Sequence, residues 1–369
     1  MTIKKSADCK EKANKKFAAE LEYGGKSFHV YFEINSSEAI WRAEAFITAA
    51  LFPAMHLGMD IHCPFPISKT YLKNLCTIQD ILLSWFPDLR PVKILPEKTI
   101  TSPLNGTEKQ ALFFSGGLDS SYSLLKHLNE LDALIFVNGF DISLNDVGLY
   151  RNVRERLYRV ARAKHKKLVI VHTNLREFLE CEMSLSWPDT HGLAMASVAH
   201  LLSSEYTKIL ISATACYADL YPYGSHPLLD PLWGTETLEI VHDGCEADRV
   251  QKAKYVAKDE IVRSVLRVCW ENRNGAFNCC ECEKCVRTMV QLEIAGVLLK
   301  FPSFNKPLNI DNLNCKFPAV VAKKFRTRYL PELETSGHNP RLLKKLYSLL
   351  YRKPLYIRIL HGFRKIFKI

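Results

Sequence analysis

Residues 111–128 read ALFFSGGLDSSYSLLKHL, and an apolar run meets Ser115, Gly116, Gly117, Leu118, Asp119, Ser120 and Ser121 before the chain turns amphipathic. These residue types suit phosphate. Glycines let a backbone approach a ligand with no Cβ in the way. The hydroxyls of Ser115, Ser120 and Ser121 can donate to phosphate oxygens. A helix start adds unpaired N–H groups and the positive end of its dipole. Asp119 would need Mg²⁺ between itself and an anion. The Gly-x4-Gly-Lys-Ser/Thr loop is absent, and no lysine sits in this stretch. A second cluster, residues 268–289, reads VCWENRNGAFNCCECEKCVRTM. Cys279, Cys282 and Cys285 are three apart, and Cys269 precedes them across nine residues. Four thiolates close a tetrahedron around Zn²⁺ and leave no position for water, so the metal predicted here serves folding and not catalysis. Cys280 is spare, either buried or an alternate ligand.

Such residues act only if the chain positions them. From Lys109 the rhythm is strand, helix, strand: QALFF, DSSYSLLKHL, DALIFVNGF, LYRNVRERLYRVARAKH, KLVIVHTNL, GLAMASVAHLLSSE, TKILISATA. Nearly all-apolar strands separated by helices predict an α/β fold with a parallel, doubly wound sheet covered on both faces. Ligands sit at the carboxyl ends of such strands. Chemistry is therefore expected after Phe114, Val137 and Ala215. Residues 1–107 read as an N-terminal α+β accessory domain, with a hairpin turning at Gly24-Gly25 and helices near residues 38–55 and 70–86. Residues 108–305 form the nucleotide domain with its four-cysteine site, and 306–369 a basic helical tail.

The net charge of +11 is concentrated: residues 341–369 hold nine Lys or Arg and no acid, leaving +2 for the rest. The high pI thus belongs mostly to a tail and gives no argument for nucleic acid along the body. The alternation of basic and bulky apolar residues in that tail suits an anionic membrane surface, a nucleic acid, or packing on the body. The first twenty residues are polar and lysine-rich, and the run AFITAALFPAMHLGM is too short and too broken to span a bilayer. The expectation is a cytoplasmic protein, peripheral at the membrane if the tail docks there. Twelve cysteines without a leader favour metal over disulfides.

Ser-Gly-Gly-x-Asp-Ser at residues 115–120 resembles the PP-loop of the ATP pyrophosphatase superfamily, whose members cleave ATP between its α and β phosphates and leave AMP on a substrate oxygen. With the cysteines, residues 108–300 resemble one branch, the 7-cyano-7-deazaguanine synthases. That family spaces its cysteines as one, about eight residues, then Cys-x-x-Cys-x-x-Cys. Lys258-Asp259-Glu260-Ile261 matches its Lys-x-Glu-Ile, and Arg287 looks like the arginine after its last cysteine. His191-Gly192 stands where the family has Arg-Asn, and DLYPYGSHPLLDPLW where it has Tyr-Pro-Asp-Cys-Arg, so its deazaguanine recognition does not carry over.

The resemblance implies attack of a carboxylate on the α-phosphate, giving an acyl adenylate and pyrophosphate. Ammonia or another amine then displaces AMP to form an amide, activated again to a nitrile in that family. The expected roles are pyrophosphate on residues 115–121, Mg²⁺ on Asp119, phosphate countercharge from Lys258, and adenine against Asn138, Gly139 and Phe140. The acid, of 7-deazaguanine type or another, is expected near Asp219, Tyr223, His226, Asp230 and His191. The cofactors implied are ATP, Mg²⁺ and Zn²⁺. The partners are a small acid and an amine donor, with a homodimer also allowed. Two other chemistries stay open: sulfur transfer to tRNA, with Cys216 as the reactive thiol, and a non-catalytic nucleotide-binding module.

Overall fold

The computed structural model describes residues 1–6, 9–11, 14–101, 108–311, 313 and 317–351. Its strands are β1 (Thr2–Lys5), β2 (Cys9–Glu11), β3 (Asn14–Tyr23), β4 (Lys26–Ile34), β5 (Ile61–Cys63), β6 (Ile67–Ser68), β7 (Ile94–Pro96), β8 (Thr99–Ile100), β9 (Gln110–Phe113), β10 (Ala133–Asn138), β11 (Lys167–Thr173), β12 (Lys208–Ser212) and β13 (Glu239–Asp243). Its helices are α1 (Ala43–Leu57), α2 (Lys69–Trp85), α3 (Leu118–Lys126), α4 (Val147–Ala163), α5 (Leu175–Glu177), α6 (Trp187–Leu201), α7 (Arg249–Val256), α8 (Glu260–Ser264), α9 (Glu283–Ile294), α10 (Ala319–Lys324), α11 (Leu330–Ser336) and α12 (Pro340–Leu350).

The five strands from β9 onward pair in parallel in the order β13-β12-β9-β10-β11. β13 is a fifth member beyond the four strands that the sequence rhythm predicts. Along β9 and β10 the side chains alternate between two cores: Ala111, Phe113, Ala133, Ile135 and Val137 face one, and Leu112, Phe114, Leu134 and Phe136 the other. Burial on both faces is why these strands read as unbroken apolar runs. From β9 the chain first winds toward β10 and β11, then crosses back to β12. That reversal opens a crevice at the carboxyl ends of β9 and β12.

The N-terminal segment extends the same sheet. β4 pairs antiparallel with β11, aligning Ile34 with Val171, and β3, β1, β5 and β7 continue outward. Val30, Phe32 and Ile34 share one core with Val169, Val171 and the α6 residues Ala196 and Ala199. α1 packs against α6 and is buried on nearly every side, with Pro53 inside it. This is the apolar run that stood out in the sequence, and a helix apolar all round belongs in a core. Among the described residues no helix is long and apolar enough to cross a membrane.

The C-terminal helices pack on the body. Phe325, Tyr329, Leu330, Leu333, Leu342 and Leu346 form a third core with Val250 of α7 and Val290 and Ile294 of α9. The first part of the basic tail is therefore a docked helix, α12. Residues 352–369, which carry the rest of the tail, lie outside the described residues.

Candidate functional site

Ser115, Gly116 and Gly117 turn the chain from β9 into α3, with Gly117 at the N-cap. Gly116 has φ +74°, and a Cβ there would stand 3.1 Å from Leu157 Cδ2. Its carbonyl accepts the Arg267 N–H at 2.9 Å, tying the turn to the segment before the cysteines. The turn opens into a cavity of about 370 Å³ at the carboxyl ends of the strands, lined by Ser115, Gly117, Leu118, Asp119 and Ser120. Gly116 and Ser121 are not among its lining residues; Ser121 is fully buried, its hydroxyl without a hydrogen-bond partner among the described residues. A wider groove of about 520 Å³ lies at the opposite, amino ends of β9, β12 and β13 and is lined by Gln110, Lys208 and Glu239. It lacks the glycine turn, and the helix start it touches, at Thr70 of α2, is already capped by Glu236 at 2.9 Å, so the crevice at the carboxyl ends is the candidate site.

Five cations line this cavity, Arg176, Arg249, Arg267, Lys284 and Arg287, against three carboxylates, Asp119, Asp141 and Glu180. Asp119 Oδ2 accepts from Arg249 at 2.8 Å and Oδ1 lies 3.5 Å from Lys252 Nζ. Lys252 is only 1% exposed and also donates to the Ala213 carbonyl at 2.6 Å. Burial lowers the pKa of Arg267, Lys284 and Arg287, with Asp141 opposing it at Arg267 and Lys284. Burial alone would raise Asp141, but Lys284, Arg267, Arg176 and His191 together hold it below the usual carboxylate range. Cations gathered in a poorly hydrated cleft favour a polyanionic ligand.

The countercharge expected from Lys258 falls elsewhere. Lys258 is exposed beyond the end of α7, its ammonium 5.5 Å from the Tyr255 ring centre, and does not line the cavity. In the first turn of α7, where Asp248 and Gln251 form a capping box, Arg249 lines the cavity, and Lys252, which does not line it, is buried against Asp119. Sequence alone hid Lys252, because a lysine beside Val250, Ala253 and Val256 reads as the solvated edge of an amphipathic helix.

Of the five substrate-loop residues, Tyr223 and His191 line the cavity. Their ring centres lie 4.6 Å apart, and Trp187, Phe140 and Tyr221 continue the aromatic wall. α6 starts at Trp187, so His191 sits in its second turn and not at the helix start. Its Nδ1 lies 3.1 Å from the Pro188 carbonyl. Burial lowers the His191 pKa, partly offset by Asp230. Asp219, His226 and Asp230 do not line the cavity. Asp219 is 3.1 Å from Cys216 Sγ and 3.6 Å from Arg328. His226 packs edge-on to Trp85 and accepts the Leu228 N–H at 3.1 Å. Asp230 is fully buried and accepts from His242 Nδ1 and Ser225 Oγ, each at 2.7 Å. Proline-rich loops hide such inward turns from sequence patterns. Asn138 donates to His172 Nδ1 at 3.1 Å, and Gly139, at φ +103°, backs onto the Thr173 carbonyl. Neither lines the cavity, although their neighbours Val137, Phe140 and Asp141 do.

The four expected cysteines come together. The Sγ atoms of Cys269, Cys279, Cys282 and Cys285 all lie within 4.8 Å of one another and are buried. The Cys269–Cys282 and Cys279–Cys285 pairs are 3.9 and 4.0 Å apart. Tetrahedral Zn–S bonds of about 2.3 Å require sulfurs about 3.8 Å apart, so the set fits Zn²⁺. The Cys282 N–H donates to Cys279 Sγ at 3.2 Å and the Cys285 N–H to Cys282 Sγ at 3.4 Å, bonds that favour thiolates. Cys280, at φ +60°, instead contacts the Asn278 carbonyl and Asn305 Oδ1, both at 3.6 Å. The spare cysteine is thus a buried thiol outside the ligand set. The ligands interleave with the cavity cations: Arg267 precedes Cys269, Lys284 falls between Cys282 and Cys285, and Arg287 follows. A metal here would fix one charged wall of the cavity.

No protein-family model matches the chain, and no curated protein matches it.

Proposed function

We propose that this protein is a PP-loop enzyme that binds ATP and activates a carboxylic acid as an acyl adenylate, transferring it to ammonia or another amine. One observation carries the reading: a Ser-Gly-Gly turn at a helix start, at the reversal point of a parallel sheet, opens into a cleft lined by five cations. The pyrophosphate end of ATP lies on Ser115, Gly117 and Ser120 and the first N–H groups of α3, with Arg249 and Lys252 as countercharge. The adenine lies toward Val137 and Phe140. The acid lies along Tyr223, His191 and Trp187, and its oxygen attacks the α-phosphorus as the bond to the β-phosphate oxygen breaks. An amine then attacks the acyl carbon, the carbon–oxygen bond to AMP breaks, and the amine loses its proton to a base or to water. Mg²⁺ would arrive with the nucleotide. Asp119, its expected ligand, is neutralised by Arg249 and Lys252, so we assign that carboxylate to holding the two cations and route no step through the ion. Zn²⁺ on the four cysteines would be structural, since no ligand position remains open.

Sulfur transfer is the weaker reading. Cys216 lies outside the cavity lining, and burial with the Asp219 contact raises its pKa although Arg328 opposes them. A thiol held protonated is a poor nucleophile.

The test is incubation of the zinc-loaded protein with ATP, Mg²⁺ and a panel of carboxylic acids, 7-deazaguanine-type acids included, with AMP followed by chromatography. The expected result is AMP and pyrophosphate with one class of acid, and a loss of at least about 100-fold in Lys252→Met, the size of effect for a charge stabilising the transition state. ATP binding with no AMP from any acid would leave a non-catalytic module. AMP formed only with tRNA and a sulfur donor, and lost in Cys216→Ala, would mean sulfur transfer.

A further inference from the structure

Two of the three carboxylates that line the cleft are already engaged. Asp119 holds Arg249 and Lys252, and Glu180 accepts from Arg176 Nε at 2.5 Å. The third, Asp141, follows β10, and its carboxylate makes neither a hydrogen bond nor an ion pair among the described residues. An ionised carboxylate in a poorly hydrated cleft calls for a hydrogen-bond donor. The chain withholds that donor, and a ligand can bring it.

Arg267 is its counterpart of opposite sign. Its N–H bonds the Gly116 carbonyl, and its own carbonyl would stand 3.7 Å from a Cβ on Gly117, so its backbone is braced against the Ser-Gly-Gly turn. The residue lines the cleft yet is only 5% exposed. Nη2 donates to Asn272 Oδ1 at 2.5 Å, while Nε is buried with no partner. A buried donor left unpaired is costly until an acceptor completes it. Asn272 Nδ2 in turn donates to the Asp141 carbonyl at 2.9 Å. One side-chain amide thus ties the incompletely bonded guanidinium to the residue with the unpaired carboxylate. The two charges share the cleft wall without neutralising each other.

We propose that Asp141 and Arg267 form a subsite for a free α-amino acid, and that this amino acid is the amine that receives the acyl group. Asp141 accepts from its ammonium, and Arg267 donates to its carboxylate. Calling the ligand the acceptor rests on the proposed adenylating reading; the subsite itself does not. In that role the ammonium gives one proton to water and becomes an amine. Its nitrogen bonds the acyl carbon, AMP leaves with the electron pair of the carbon–oxygen bond, and a second proton passes to water. The product is an N-acyl amino acid. Ammonia, which carries no carboxylate, would leave Arg267 unfilled.

The test is calorimetric titration of glycine, L-alanine, L-glutamate, L-lysine and L-phenylalanine into the full-length zinc-loaded protein. The strongest binder is then compared with its N-acetyl form, which lacks the ammonium, and its amide, which lacks the carboxylate. Each derivative should bind at least about 10-fold more weakly than the parent, the size of one charge-assisted hydrogen bond. Asp141→Asn should weaken the parent at least about 10-fold and close the gap to the N-acetyl form; Arg267→Gln should close the gap to the amide. Should Arg267→Gln fail to fold, the two derivatives on the wild type and Asp141→Asn decide the matter. No binding by any of the five amino acids overturns the subsite. So does a derivative that binds as tightly as its parent, or unchanged affinity in Asp141→Asn. α,β-Methylene-ATP is titrated separately. Amino-acid binding without analogue binding would keep the subsite and refute the nucleotide reading, and the reverse would refute the subsite alone.

Discussion

His242 shows how a buried pair gives one residue a measurable signature. Burial alone would lower its pKa, but the hydrogen bond and charge of Asp230, joined by Cys245, outweigh that and raise it to about 9. Both side chains of the pair are nearly inaccessible, at 4% and 0% exposure. A raised folded-state pKa contributes stability that is fully present below the unfolded value of about 6.5 and disappears as pH rises through about 9. Urea unfolding should therefore show a loss of up to about 3 kcal/mol between pH 6.5 and 9.5 from this residue. That component should be missing in His242→Asn, and an identical pH slope in the variant would refute it. The ring's own titration by NMR gives a direct check. In the sequence Asp230 reads as a loop acid facing substrate, and His242 is given no role. Nothing local in either residue reports that they meet.

Two elements owe their positions to close backbone contact and to metal. In α6, a Cβ on Gly192 would stand 1.9 Å from the Gly224 carbonyl, so helix and loop touch backbone to backbone. That contact holds His191 against Tyr223. Gly192→Ala should cost about 3 kcal/mol through overpacking, read as a lower denaturation midpoint, and should disturb the near-UV signal of the aromatic wall. At the cysteines, metal analysis should return one Zn²⁺ per chain in the wild type and in Cys280→Ser. Cys279→Ser should lose the metal and, because Lys284 and Arg287 lie on the helix that the cysteines anchor, nucleotide binding with it. Retained zinc in Cys279→Ser would refute the ligand assignment. The ligands were legible from spacing alone, since three cysteines at every third position converge at a turn. The identity of the spare one was not, because that depends on the left-handed backbone at Cys280.

One 11-stranded sheet runs through the described residues, antiparallel around β3 and β4 and parallel from β9 onward, with β6 and β8 as a separate two-stranded pair. Because β4 covers the edge of β11, a fragment beginning at residue 108 would expose that edge and the apolar face now shared with α1. Such a fragment should be insoluble or lack cooperative unfolding, whereas a chain ending at residue 351 should keep both. A soluble, cooperatively folded fragment 108–369 would show that the N-terminal segment is a separable accessory domain. The segment boundary near residue 107 is visible in the sequence as a run of prolines and a change of rhythm. The continuity of the sheet across it is not, because strand pairing between residues 34 and 171 leaves no local mark.

Local sequence determined what depends on short-range chemistry: the glycine turn before α3, the strand–helix alternation, and four cysteines spaced for one metal. Only the tertiary structure decided which charges meet. It turned Arg249 and Lys252 onto Asp119, carried Lys258 to the surface, folded Asp230 away into a pair with His242, and latched Arg328 of the C-terminal segment to Asp219 and Asp248. Spacing along a chain fixes which neighbours share a turn, but the partners of a buried charge come from elements far apart in sequence, chosen by the packing of the whole core.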